Sequence, residues 1–226
     1  MKKSLAITLG IVLLLAGSAA AQDVKFTLDA GYMLGSYNFQ ISGNKMEAKM
    51  NGFVLTGEAA IVEPWGAQVN LAFLNGSDFK ENDAPVDAEM SLNRMDFLAS
   101  YSLPANLGDL ELRALGGYSI TTATNPGSET KISGFLVGGS VAVEPMDNLT
   151  INGFFGYGLG MKSRDETHGV ETDAGLTTYR VAGAYEVAPN ISLEAGYAGN
   201  IYSTTATGVT LKQNINGFFL GGRVSF

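Results

Sequence analysis

Cysteine is absent from the 226-residue chain, proline is scarce at 6, and there is one histidine, His168, and one tryptophan, Trp65. The missing thiols exclude a disulfide framework, a cysteine nucleophile, a Cys-ligated metal and a lipid-bearing Cys at a cleavage site. Basic charge is thin as well. Lys+Arg 14 against Asp+Glu 22 leaves a net charge of -8, so the electropositive footprint of a nucleic-acid binder is lacking. After residue 21 no apolar run approaches the roughly 20 residues that a membrane helix needs. If this chain enters a bilayer, it enters as strands.

Residues 1–21 read as a separate object. Lys2 and Lys3 precede an apolar run from Leu5 to Leu15, and small residues, Ala19 and Ala21, stand before Gln22. That is the pattern of a cleaved signal peptide. The remaining stretch, 22–226, is expected to form one domain.

Glycine is abundant at 29 residues, and hydrophobicity alternates. In YRVAGAYEVAPNISLEAGYAGN, Tyr179, Val181, Gly183, Tyr185 and Val187 alternate with Arg180, Ala182, Ala184 and Glu186. Leu149, Ile151, Gly153, Phe155, Tyr157, Leu159 and Met161 share one face, against Thr150, Asn152, Gly156, Gly158 and Gly160, with Phe154 the exception. Turn signals recur at Pro64, Pro104, Pro145 and Pro189, at spacings of 40, 41 and 44 residues. The connections between these units are longer and polar, near 36–50, 76–89, 121–132, 162–174 and 203–213. Short turns on one side and long loops on the other describe an up-and-down meander. The expected strands are 24–35, 51–63, 66–76, 90–103, 110–121, 132–144, 149–161, 175–188, 191–202 and 214–226. The fold class is therefore all-β: a closed, antiparallel, up-and-down transmembrane β-barrel of about ten strands, with eight as the alternative. Closure follows from the solvent, because an unpaired backbone group in hydrocarbon costs several kcal/mol. The first strand is expected to pair with the last.

A soluble barrel would turn the greasy face inward. The polar face, however, is rich in Gly and Ala and poor in Lys, and the apolar face carries aromatics near strand ends, as interfacial girdles do. Trp65, Tyr101, Tyr185 and Phe226 are expected in a lower belt, with Tyr32, Tyr118, Phe135, Tyr157, Tyr179 and Phe218 contributing above. The charged set Asp29, Glu58, Arg94, Asp96, Glu111, Arg113, Glu144, Arg180, Glu186, Glu194 and Arg223 then points into the lumen. Counted from the tight turns, Arg113, Arg223, Glu58, Glu111, Glu186 and Glu194 lie lower, and Arg94, Asp96, Arg180 and Asp29 higher. Two layers of ion pairs are expected, as a packed polar core or as a gate.

On this pattern, and on the terminal GFFLGGRVSF, residues 22–226 resemble the small Gram-negative outer-membrane β-barrels, the opacity-type and OmpA/OmpX-type proteins. Gly221, Val224 and Phe226 resemble the C-terminal signal read by the outer-membrane assembly machinery, and Phe219 stands where that signal usually begins with a polar residue. The resemblance implies export, residence in the outer membrane among lipid and lipopolysaccharide, and insertion by that machinery. It implies no particular activity.

Candidate chemistry is sparse. His168 lies in SRDETHGVETD near Asp165, Glu166, Glu171 and Asp173, and an imidazole beside a carboxylate is the usual base of a hydrolase. Omptin proteases resemble this plan in strand number, but the paired acids they use have no counterpart in 76–89. Asp78, Glu81, Asp83 and Asp87 offer oxygen ligands for Ca²⁺ without EF-hand spacing, and read as a solvated loop. No cofactor, catalytic residue or metal site is assigned. The expectation is a non-enzymatic surface barrel with a plugged polar lumen and loops free for adhesion. A narrow porin-like channel is the alternative, and a loop-sited hydrolase the remote one.

Overall fold

The computed structural model describes residues 24–41, 44–104, 110–125, 127–206 and 209–226. The expected signal peptide and the turn after Pro104 lie outside them. The strands are β1 (Lys25–Ile41), β2 (Asn44–Val62), β3 (Trp65–Glu81), β4 (Ala84–Pro85), β5 (Met90–Ser102), β6 (Leu110–Asn125), β7 (Ser128–Met146), β8 (Leu149–Asp165), β9 (Val170–Ala188), β10 (Ile191–Ala206) and β11 (Val209–Ser225). Ten of them form a ring of antiparallel neighbours in sequence order, closed by β1 against β11, while the two-residue β4 only edges the top of β3. The seam runs from Thr27↔Ser225 to Gln40↔Lys212. Phe26 and the terminal Phe226 exchange backbone bonds at its foot. Among the described residues no free edge remains along the spanning part of the sheet, as hydrocarbon demands.

All ten expected strands are present, but they run well into the segments expected as loops. Residues 36–41 and 44–50, 121–125 and 128–132, 162–165 and 170–174, and 203–206 and 209–213 continue the ladder as hairpin extensions, and in 76–89 the ladder runs to Glu81 before the stretch around β4 leaves it. The reason lies in which face is polar. Low in β1 the outward residues are Leu28, Ala30, Tyr32 and Leu34; higher up they are Ser36 and Asn38. In β2 Phe53, Leu55, Ala59 and Ile61 face out below, and Lys49 and Asn51 above. The inner face changes the opposite way. Tyr37, Met50, Leu92, Ile132, Met161, Leu176 and Ile215 are all buried inside the upper wall. Each strand thus reverses its apolar side where it leaves the bilayer for water. The burial of the Tyr37 phenol in this upper interior pushes its pKa up to about 12.

Two bulges adjust the phase. Gly160, at φ 59°, and Met161 together face Gly134, which turns Met161 inward and corrects its expected place on the lipid face. Asp78, at φ 53°, does the same for Phe79 opposite Ala48. Such insertions re-aim a side chain at the cost of one ladder pair.

At the seam, glycines allow two backbones to approach. A Cβ on Gly217 would lie 2.4 Å from the Leu34 carbonyl oxygen, and one on Gly221 2.1 Å from that of Ala30. Gly116, on the outer wall, has nothing within 4 Å of such an atom. Gly217→Val is therefore expected to destabilise the detergent-solubilised barrel by about 1–3 kcal/mol through overpacking, read from denaturant unfolding by circular dichroism. Gly116→Val is expected to leave the midpoint unchanged.

Candidate functional site: the lumen

Inward-facing positions on neighbouring strands build the lumen, and nine of the charged ones form three groups. The lowest centres on Arg113 of β6, which donates Nη1 to Glu58 of β2 at 3.0 Å, across the barrel, and Nη2 to Glu111 at 3.1 Å. The second is a four-membered cluster. Arg180 donates Nη2 to both carboxylate oxygens of Glu194 at 2.8 Å and Nη1 to Thr56 at 2.6 Å. Arg223 forks onto its ladder partner Asp29 at 2.6 and 3.1 Å. The two halves join through Arg180–Asp29 at 3.6 Å and Arg223–Glu194 at 3.5 Å. The Asn152 amide, with its oxygen towards Arg223, accepts at 3.2 and 3.1 Å. Phe219 lies flat beneath Arg180, 4.7 Å from guanidinium carbon to ring centre.

The third group is the driest. Arg94 donates Nε and Nη2 to Asp96 at 2.9 and 2.8 Å, and Nη1 crosses the lumen to Thr178 at 2.9 Å and to Asn200. Ser119 completes the Asp96 carboxylate at 2.7 Å. Thr121 and Tyr202 meet across the barrel at 3.3 Å. Arg94 and Asp96 are 5% and 1% exposed, which only a fully hydrogen-bonded pair tolerates.

The eleven sequence-selected charges all lie on the inner wall. Ten of them line one cavity of about 650 Å³, and Glu194 is sealed behind it in its ion pairs. Their grouping differs from two layers. Asp29 and Arg180, placed high by counting along the chain, join Arg223 and Glu194, placed low. Strand tilt is the cause: residues equally far from their turns on different strands do not share a height. Thr56, Thr178 and Asn200 join Asn152 and Ser119, residues of the polar face, as neutral members of these groups, and inward phase is their only signal in the sequence. Sequence reasoning passed over Phe219 as a lumen residue, although it shares the inward phase of Arg223. The charged groups lie in the lower lumen. Above Arg94 the buried inward residues are mainly apolar, Met50, Leu92, Leu176 and Ile215 among them.

The aromatics expected in the girdles lie on the outer face of the wall, most of them in ring contact. Trp65 meets Tyr101 at 4.9 Å between ring centres, with Tyr185 and the terminal Phe226 exposed at the same end. Tyr118 meets Phe135 at 5.8 Å, Tyr32 meets Phe53 at 5.3 Å, and Tyr179 approaches Tyr197, which meets Phe218. Tyr157 is half-exposed on the outer face. Gly221 and Val224 lie in the seam against Gly31 and Leu28.

His168 sits in the β8–β9 turn and is not among the residues that line the lumen cavity. Its Nδ1 lies 2.8 Å from Asp165, whose other oxygen accepts the backbone N–H groups of Thr167 and His168. The imidazole beside Asp165 holds that carboxyl below the usual range. Asp165 closes the turn, and the imidazole is two-thirds exposed. Asp78 of the acidic segment is paired with Lys49 at 2.7 Å. Among the described residues no three His, Asp or Glu side chains converge as a metal site would require.

The family model for the outer membrane protein beta-barrel domain matches residues 7–164. No curated protein sequence matches this chain significantly. Among solved structures, the outer membrane protease OmpT from Escherichia coli is similar, at 12% identity over 90% of this chain and 96% of that one, with a TM-score of 0.62. The outer membrane protein OprG from Pseudomonas aeruginosa, at 10% identity over 89% and 95%, and Neisserial surface protein A, at 14% over 91% and 98%, both superpose with a TM-score of 0.41. At such identities the likeness concerns the fold. A closed wall with lipid-facing aromatics, and a family match over more than half of its length, lead to one conclusion: the chain belongs to the outer membrane protein beta-barrel domain family and resides in the bacterial outer membrane.

Proposed function

We propose that the protein is a non-enzymatic outer-membrane barrel whose lumen is closed to solute flow and whose upper hairpins work at the cell surface. One observation carries this reading. Above the Arg94 cluster the wall's own Met50, Leu92, Met161, Leu176 and Ile215 occupy the barrel centre, each 2% exposed or less. Water and ions crossing there would have to displace a packed apolar core. Tight turns mark the periplasmic side and the long hairpins the outside, following the general plan of such barrels. The polar outer faces of the hairpins, with Lys49, Lys131, Lys162 and Arg164 above the aromatic belt, suit contact with lipopolysaccharide and with partners at the surface. Gly221, Val224 and Phe226 on the closing strand suit recognition by the assembly machinery.

A second reading, a hairpin-sited hydrolase, is favoured by the Asp165–His168 pair and by the shape shared with a protease. The pair lies on an open turn, and both oxygens of Asp165 already hold that turn together, so the first reading is preferred.

Purified full-length protein in planar bilayers is expected to show no steady open-channel current, and sustained conductance would overturn the closed lumen. His168→Ala is expected to change no peptide-cleaving activity of the pure protein; a measured loss would establish the hydrolase instead. Arg94→Met alone strands Asp96 in a dry interior and is expected to cost about 3–5 kcal/mol of unfolding free energy in detergent. Combining it with Asp96→Leu is expected to restore most of that loss.

A further inference from the structure

The cavity of about 650 Å³ is lined by Arg94 and Asp96 at one end and reaches the tight-turn rim, where Asn190 and Ser225 line it, at the other. Its charged groups are not equally engaged. Arg223 is taken up by Asp29, Glu194 and Asn152, Arg180 by Glu194 and Thr56, and Arg113 by Glu58 and Glu111. Each arginine already has its facing acceptors. Glu144 and Glu186 also line the cavity, at its exposed lower end, and Glu58 and Glu111 use only one oxygen each towards Arg113. What the space offers a visitor is therefore acceptor capacity at net negative charge. Low-dielectric walls focus that charge onto the mouth.

We propose that this vestibule binds small aliphatic amines, diamines above all, from the periplasmic side. An anion finds its cationic partners occupied. A compact metal ion is poorly served, because among the described residues no three carboxylates converge on one point. Carboxylates spread around a rim suit an extended ligand, whose ammonium groups reach separate acceptors and whose methylene chain lies along the wall. Each ammonium donates three hydrogen bonds and accepts none, which matches the acceptor-rich lining. Binding is expected to weaken as salt rises, since the rim is exposed. The inference rests on the lumen being closed above Arg94, so that the ligand is held and not passed through.

The test is calorimetric titration of the full-length protein in detergent with 1,4-diaminobutane, and with succinate as the anionic counterpart. Saturable one-to-one binding of the diamine is expected, with none for succinate. Glu144→Gln/Glu186→Gln is expected to weaken diamine binding at least tenfold. Both residues are exposed at the rim, and an unchanged thermal unfolding midpoint shows that the double variant is folded. Absence of saturable diamine binding, equal binding of succinate, or undiminished binding by the folded double variant overturns the proposal. Steady current through wild-type protein in a bilayer would overturn the closed lumen and with it the retention of the ligand, whereas absent amine binding without current overturns the vestibule proposal alone.

Discussion

The medium outside the wall changes part-way along every strand, and the rest of the structure answers to that change. In the bilayer the outer side chains touch hydrocarbon, which gives a buried apolar interior no advantage over an exposed one. Cohesion there comes from the closed backbone ladder and from charges that cross the lumen, such as Arg113 to Glu58 and Arg180 to Thr56. Above the aromatic belt the wall stands in water. There the ordinary hydrophobic effect returns, and the same strands turn Tyr37, Met50 and Leu176 inward. One barrel therefore has two interiors, each required by what lies beyond its wall.

That inversion also decides how much of the fold is legible in the sequence. The spanning strands are legible because regular alternation with aromatics on the apolar face suits a wall standing in lipid and little else. The seam follows from the need to leave no edge. The upper halves read as loops although they alternate as regularly. Ser36 and Asn38 face water while Tyr37 and Phe39 face in, so the period persists and its polarity is reversed. A search for outward grease sees such a stretch as polar and irregular. Bulges add a second obstacle. Gly160 and Asp78 each shift the phase by one, and in a sequence an inserted residue looks the same as any other glycine or aspartate.

The lumen charges are legible one by one and not as partners. Phase along a strand shows that Arg94 and Asn200 both point inward. It does not show that they meet, because they are 106 residues apart and lie on different strands. Height around a tilted barrel depends on shear, which no single strand records. This is why counting along the chain puts Asp29 and Arg180 in one layer and Arg223 and Glu194 in another, although the four form one cluster. Neutral members such as Thr56 and Asn152 carry even less signal, since hydroxyls and amides suit either face of a strand near water.

The proposed closure and the proposed vestibule both depend on side-chain size as much as on polarity. Below Arg94 many inward positions hold Ser140, Ala142, Ala182, Ala184 and Ser192, and a ten-strand ring lined by such small groups keeps open space at its centre. Above it the inward positions hold methionine, leucine and tyrosine, which fill the same ring. A charge change in the lower half alters what the space attracts and leaves its volume in place. A size change in the upper half alters whether the barrel is closed at all. Shared architecture with a protease speaks to neither property, because chemistry resides in the side chains that a ring of strands carries and not in the ring.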